Sequence, residues 1–248
     1  MINFITKIKK KRLDILLVEK HFALSLKHAQ ALIMSKIVYV NKQIEFRPWI
    51  LYDTKDSIEI RKHNLYVSRG GLKLASALKV FKLNIQGYIC LDIGASTGGF
   101  TDCLLQNGAM RVYSVDVGKG QLDYKLKQDK RVTNIENLNF RYYTKSLIND
   151  IIDLVTIDVS FISLAKILPI VYSEISTSKF IIPLIKPQFE LSSYDVKKGI
   201  VKNENLRQQA IQKIKNFACN IGFIVVAETS SSLKGVKGNL EHFILLKR

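Results

Sequence analysis

The sequence predicts an α/β fold: a doubly wound sheet with an antiparallel edge, preceded by a small α+β module. Three observations predict it. From Ser68 onward, short apolar runs alternate with helix-patterned stretches, the arrangement of a parallel sheet buried on both faces. The first of those runs ends in a glycine-rich turn, as at the ligand-binding switch point of doubly wound sheets. Before it, the first 60 residues hold two short helical patterns and three short strand patterns.

In the small module, Leu13, Leu16, Leu17 and Phe22 recur at helical spacing, and so do Ala29, Leu32 and Ile33. Strands are expected at residues 37–42, 44–46 and 56–60. Residues 61–65 (RKHNL) form a short junction, so the expected organisation is a basic tail and small domain over 1–62, a linker over 63–67 and a large domain over 68–248. In the large domain, strands are expected at 88–93, 111–116, 131–136, 152–158, 179–185, 223–228 and 242–246. Helical patterns lie at 100–107, around 164–173 and at 205–221, with a polar, helix-compatible stretch at 120–127. The last two strands are about a dozen residues apart with no helix between them, so they should pair antiparallel at one edge.

Composition narrows the function. The 248 residues carry 38 Lys and Arg against 21 Asp and Glu, a formal net charge of +17. Such a charge speaks of a polyanionic partner, either nucleic acid or an anionic membrane surface. Residues 1–65 hold a net of +7, about twice the density of the remainder. The run Lys7 to Arg12 reads as a frayed basic tail. A spanning helix needs roughly 20 mostly apolar residues, whereas the densest apolar stretch, residues 180–185, is short and holds Pro183. The opening residues have no long apolar core after a basic start, so no signal peptide is expected. Three scattered cysteines without CxxC spacing suit a reduced, cytoplasmic protein with no metal site.

The most informative stretch is residues 91–100, LDIGASTGGF. It is not a P-loop, because no Lys-Ser/Thr follows the glycines, and its spacing is not GxGxxG. Asp92-x-Gly94-x-x-x-Gly98 is the pattern expected for S-adenosylmethionine, with Ala95, Ser96, Gly99 and Phe100 completing the loop. Glycines there allow the backbone close to the cofactor, and the Asp92 carboxylate is expected near its cationic amino-acid end. The alternative is a tight strand–helix turn capped by Ser96 or Thr97. Asp116 ends the next strand, where an acid can accept hydrogen bonds from both ribose hydroxyls, and Glu136 ends the one after, near the adenine.

Asp158 and Lys186 each close a strand. Carboxyl ends of adjacent parallel strands face one crevice, so these two should be close. Lys73, in the stretch SRGGLKL, and Glu241, after Gly238-Asn-Leu, are charges in unusual settings. Two lysines held by two acids suit methylation of a ribose hydroxyl, since a nearby lysine can orient a poor nucleophile or take its proton. The alternative is four unrelated surface charges.

The whole chain resembles the TlyA family, which joins an S4-type RNA-binding domain to an FtsJ-type methyltransferase domain. The resemblance rests on Arg12-Leu-Asp14, residues 29–33 (AQALI), 38–41 (VYVN), 67–74 (VSRGGLKL), 91–105, Val115-Asp-Val-Gly118 with Gln121-Leu122, 157–163 (IDVSFIS), 186–190 (KPQFE) and Gly238-Asn-x-Glu241. It implies a ribosomal-RNA 2′-O-methyltransferase acting on cytidine with S-adenosylmethionine, and a ribosomal subunit as partner. It implies that Lys73, Asp158, Lys186 and Glu241 form the catalytic tetrad and that residues 92–100 with Asp116 hold the cofactor. Arg12, Lys20, Lys27, Lys36 and Lys42 of the small domain and Arg69 of the large one are the candidate RNA contacts. The chain departs from the S4 signature at Ser25-Leu26, where Ser-Arg is usual, and at Lys36 and Lys42, where the family has glycine. Family members have also been labelled haemolysins. Two further readings therefore stand beside the enzyme: a membrane-active protein and a ribosome-binding module without catalysis.

Overall fold

A computed structural model describes residues 10–60, 65–235 and 237–248. The chain divides into two compact units, residues 1–63 and 64–248. Most of the expected junction, residues 61–64, and Lys7 to Lys9 of the basic run lie outside the described residues.

The smaller unit runs β1 (Lys10–Arg12), α1 (Leu13–Glu19), α2 (Leu26–Met34), β2 (Val38–Val40), β3 (Gln43–Ile44), β4 (Leu51–Asp53) and β5 (Ile58–Ile60). β1 pairs antiparallel with β4, and β2 lies between β3 and β5. Helical periodicity sends Leu13, Leu16, Leu17, Ala29 and Ile33 inward against Val38, Val40 and Ile58, and these form the core. Two strands were not expected. β1 is Lys-Lys-Arg, part of the predicted tail, and carries no apolar alternation; β4 owes its place to pairing with it. Lys36 (φ 60°) and Lys42 (φ 67°) adopt left-handed backbone, the conformation that glycine takes without cost.

The larger unit holds α3 (Arg69–Val80), β6 (Ile89–Ile93), α4 (Gly99–Gln106), β7 (Arg111–Val115), α5 (Tyr124–Lys127), β8 (Val132–Ile135), β9 (Leu154–Ile157), α6 (Leu168–Glu174), β10 (Phe180–Ile185), α7 (Pro187–Glu190), α8 (Glu204–Asn220), β11 (Ile224–Ser230) and β12 (His242–Lys247). The seven strands lie in the order β11-β12-β10-β9-β6-β7-β8. β10, β9, β6, β7 and β8 are parallel, and β12 runs antiparallel to both β10 and β11. This is the doubly wound sheet with its antiparallel edge.

Alternation along each strand divides the core into two layers. Leu91, Ile93, Val155 and Ile157 pack with Leu168 and Val171 of α6 and Ile214 of α8. Cys90, Val112, Leu154 and Ile182 pack with Leu74 and Leu78 of α3 and Leu104 of α4. The helix expected around 164–173 is split into a 3-10 turn, Leu164–Lys166, and α6, which begins around Pro169, where a missing N–H costs nothing. Neither α3 nor α7 was expected. Gly70 and Gly71 weaken the helical signal at the start of α3, and burial of Leu74, Ala77 and Leu78 outweighs their propensity.

Candidate active site

Parallel strands deliver their carboxyl ends to one edge of the sheet. There, a cavity of about 810 Å³ is lined by Ser68, Arg69, Gly70 and Lys73 at the start of α3, by residues 94–97, 99 and 100 of the glycine-rich loop, and by Asp158, Lys186 and Glu241. A second cavity of about 460 Å³, lined by Asp116, Val117, Gln121 and residues 138–141 among others, shares Gly94, Ser96, Asp158, Ser160 and Phe161 with it.

The four predicted catalytic side chains meet in the first cavity as two ion pairs. Lys73 Nζ lies 2.6 Å from Glu241 Oε2, and Lys186 Nζ lies 2.6 Å from Asp158 Oδ1. The neighbouring positions of β9 and β10 bring Asp158 and Lys186 together. Lys186 also donates to Ser160 Oγ at 2.8 Å. An ammonium has three N–H donors, so each lysine keeps at least one for a ligand. Both lysine side chains are only 11% exposed. Gly235 makes room for the first pair, because a Cβ there would overlap the Glu241 carboxylate.

The loop after β6 is shaped by close approach. Gly94 has φ +83°, and a Cβ on it would sit 2.6 Å from the Asp158 carbonyl oxygen. Asp116 accepts Ser96 N at 2.8 Å with Oδ2 and Gly118 N at 2.7 Å with Oδ1. Each oxygen keeps a second lone pair, enough for two adjacent hydroxyls. The open cavity beside Gly94 and this acid fit the methionine and ribose portions of the expected cofactor.

Three predicted cofactor residues stand elsewhere. Asp92 is fully buried and does not line the cavity, which corrects its expected place at the cofactor's amino-acid end. Strand alternation turns it under α4. There Thr101 Oγ1 donates to Oδ2 at 2.7 Å and Thr156 Oγ1 to Oδ1 at 3.0 Å. Burial pushes its carboxyl up to about 7 against these hydrogen bonds. Gly98 packs on Leu122 and Leu126. Glu136 accepts from Asn134 at 2.9 Å and faces Lys127, outside both cavities. Ala95, Ser96, Gly99 and Phe100 do line the first cavity.

Among the predicted RNA contacts, Arg69 lines the first cavity and donates to Lys234 O at 3.0 Å. In the smaller unit, Arg12 forks onto Asp14, and Lys20 donates to Asp56 O. Lys36 lies 5.8 Å from the Phe46 ring centroid, and Lys27 and Lys42 are exposed. Cavity residues without a predicted role include Ser160, Phe161, Gln188, Phe189 and Asn239, each within three positions of a predicted tetrad member. That proximity was the available signal. Lys234 and Lys237, also on the wall, carried none.

A Rossmann-like sheet, a glycine loop under a cavity and two lysine–carboxylate pairs define a methyltransferase. Family comparison agrees: residues 66–248 match the FtsJ-like methyltransferase family and residues 11–45 the S4 domain, so the chain belongs to the FtsJ-like methyltransferases that carry an S4 domain, the TlyA family. It is 43% identical over 94% of its length to all of Hemolysin A of Brachyspira hyodysenteriae. It is 37% identical to the 16S/23S rRNA (cytidine-2′-O)-methyltransferase TlyA of Mycobacterium tuberculosis, over 96% of this chain and 90% of that one. A solved structure from Streptococcus thermophilus, a hemolysin candidate, aligns with a TM-score of 0.73 and 37% identity over 98% of this chain and 90% of its own. Among the described residues, no helix is long and apolar enough to cross a membrane.

Proposed function

We propose that this chain transfers a methyl group from S-adenosylmethionine to a cytidine ribose 2′-hydroxyl of ribosomal RNA. The observation that carries the reading is the pair of ion pairs, Lys73–Glu241 and Lys186–Asp158, on one cavity wall beside the glycine loop. The bound cofactor supplies an activated sulfonium methyl, so the protein's tasks are alignment and the management of one proton. Lys73 and Lys186 orient the hydroxyl, and Lys186 relays its proton to the Asp158 carboxylate as the oxygen bonds to the methyl carbon and the carbon–sulfur bond breaks. Asp158 and Glu241 hold the lysines in place. Gly94, Ala95, Ser96, Gly99, Phe100 and Asp116 bind the cofactor. Asp92 supports the loop from below. Arg69 and the basic side chains of the smaller unit contact RNA phosphates, and residues 63–67 link that domain, residues 1–62, to the catalytic one.

The test is mass-spectrometric mapping of 2′-O-methylcytidine in ribosomal RNA incubated with S-adenosylmethionine and either wild-type protein or Lys186→Ala. Wild type should add the mark and Lys186→Ala should not, with RNA affinity kept within a few-fold. Methylation that survives the substitution sinks the tetrad assignment. The relative named Hemolysin A supplies a second reading, which a vesicle-leakage assay checks. Leakage that needs no cofactor and is unchanged in Lys186→Ala would favour it.

A further inference from the structure

Outside the tetrad and cofactor loop, the first cavity has a basic wall built by two segments and closed by one asparagine. Asn239 is 2% exposed. Its side-chain oxygen accepts Val201 N at 2.8 Å, and its side-chain amide donates to Gly199 O at 2.8 Å. These two bonds reproduce a peptide's pattern and fasten a tight hairpin, in which Lys197 bridges Ile200 and the turn residues Lys198 and Gly199 have φ 53° and 78°. The Asn239 backbone oxygen accepts Gly235 N at 2.8 Å. One residue therefore joins the hairpin to the segment that carries Lys234, Lys237 and the catalytic-site acid Glu241.

The joined segments expose Lys197, Lys198, Lys202, Lys234 and Lys237. Gly199, Lys234 and Lys237 lie on the cavity wall with Arg69. A Cβ on Gly199 would come 3.1 Å from Lys237 Nζ, so the hairpin and that lysine are in direct apposition. Cations gathered at a rim beside a ribose-sized chemical site suit one ligand chemistry, the phosphates on either side of the reacting nucleotide. The tetrad's two lysines are each paired with a carboxylate, so it brings no net positive charge to a phosphate.

We propose that the hairpin of residues 197–201 is a backbone clamp for the RNA strand, and that Asn239 is the positioning residue that sets it against the cavity. The inference rests on the RNA-methyltransferase reading of the same site. Each lysine–phosphate contact scales affinity for single-stranded nucleic acid roughly as salt concentration to the power −0.7, about fourfold per contact at 0.15 M salt.

The experiment measures methyl-transfer kinetics on ribosomal RNA, RNA affinity across a salt series, and S-adenosylmethionine affinity by calorimetry. Lys197→Ala/Lys198→Ala should raise the KM for RNA on the order of tenfold and lower the salt slope by roughly 1.4. kcat and cofactor affinity should stay within twofold. Lys79→Ala/Lys82→Ala, matched in charge at the far end of α3, should leave KM and slope as in wild type. Asn239→Ala should raise the KM for RNA with all hairpin lysines present, and cofactor affinity should hold. An unchanged RNA KM and salt slope in Lys197→Ala/Lys198→Ala overturns the clamp. So does an equal effect of the control pair, or loss of binding to phosphatidylglycerol vesicles with RNA kinetics untouched. If wild type transfers no methyl group to RNA, it is the parent reading that fails, while the salt slopes of RNA binding still judge the clamp.

Discussion

Replacing Asp92 with Asn should make the larger unit's stability less dependent on pH. Asp92 sits in a polar row across the sheet, level with Ser114 of β7 and Thr156 of β9 and covered by Thr101. Its carboxyl is raised from 3.8 to about 7, chiefly by burial. Between those values the folded state keeps a proton that the unfolded state has lost, so stability falls as pH rises through the window. At 1.36 kcal/mol per pKa unit the full effect is about 4 kcal/mol, of which about 2.5 kcal/mol falls between pH 5 and 8. Asparagine is neutral throughout and can still serve the two threonine hydroxyls, which rotate to suit. The assay is urea unfolding of the full chain, followed by circular dichroism, for wild type and Asp92→Asn from pH 5 to 8. The stability difference should move by about 2.5 kcal/mol in the variant's favour across that range. Subtraction removes the carboxylates that both proteins share. A difference that stays flat to within about 1 kcal/mol refutes the reasoning, because the buried carboxyl would then not be the group that titrates.

Gly235→Ala should place a methyl group on the Glu241 carboxylate, turn it from Lys73 and lower kcat on the order of a hundredfold; steady-state kinetics beside a binding isotherm for S-adenosylmethionine check it, with cofactor affinity expected to hold. In the smaller unit, Glu45 is held down to about 2, first by hydrogen bonds from Arg47. That stability is present above the ordinary 4.5 and lost as pH falls through about 2. With Arg47 half exposed and screened, Glu45→Gln should cost about 2 kcal/mol at pH 7. Fluorescence of Trp49, the chain's single tryptophan, reports unfolding of that unit. Raising salt from 50 to 200 mM should weaken RNA binding by at least tenfold in wild type, measured by filter binding.

Much of the fold was legible because the strands of a doubly buried sheet are written as apolar runs. β6 and β10 start one residue late and end as expected, and β9 is shorter than expected by two residues at its start and one at its end. α3 was not legible: it carries two glycines in its first turn and has no side-chain cap, and only tertiary burial makes it a helix. β1 was not legible either, because pairing with β4 alone defines it and its side chains are all basic. In the site, Asp158 and Lys186 could be placed together from topology, since each closes a neighbouring parallel strand. The Lys73–Glu241 pair could not, because the partners stand 168 positions apart, one on a helix and one in a loop before β12. Asp92 shows the converse. Its position in a motif suggested ligand contact, but a one-residue step along a strand reverses the face, and the carboxylate points into the sheet's polar seam.

The two cavities are not separate compartments. Gly94, Ser96, Asp158, Ser160 and Phe161 belong to both walls, so no occupant of one can move them without being felt in the other. Thermodynamics then imposes a symmetry. If filling the Asp116 side tightens the tetrad side by some factor, filling the tetrad side tightens the Asp116 side by that same factor. Affinity for either ligand becomes a property of the pair, and a substitution on the common wall should shift both isotherms together.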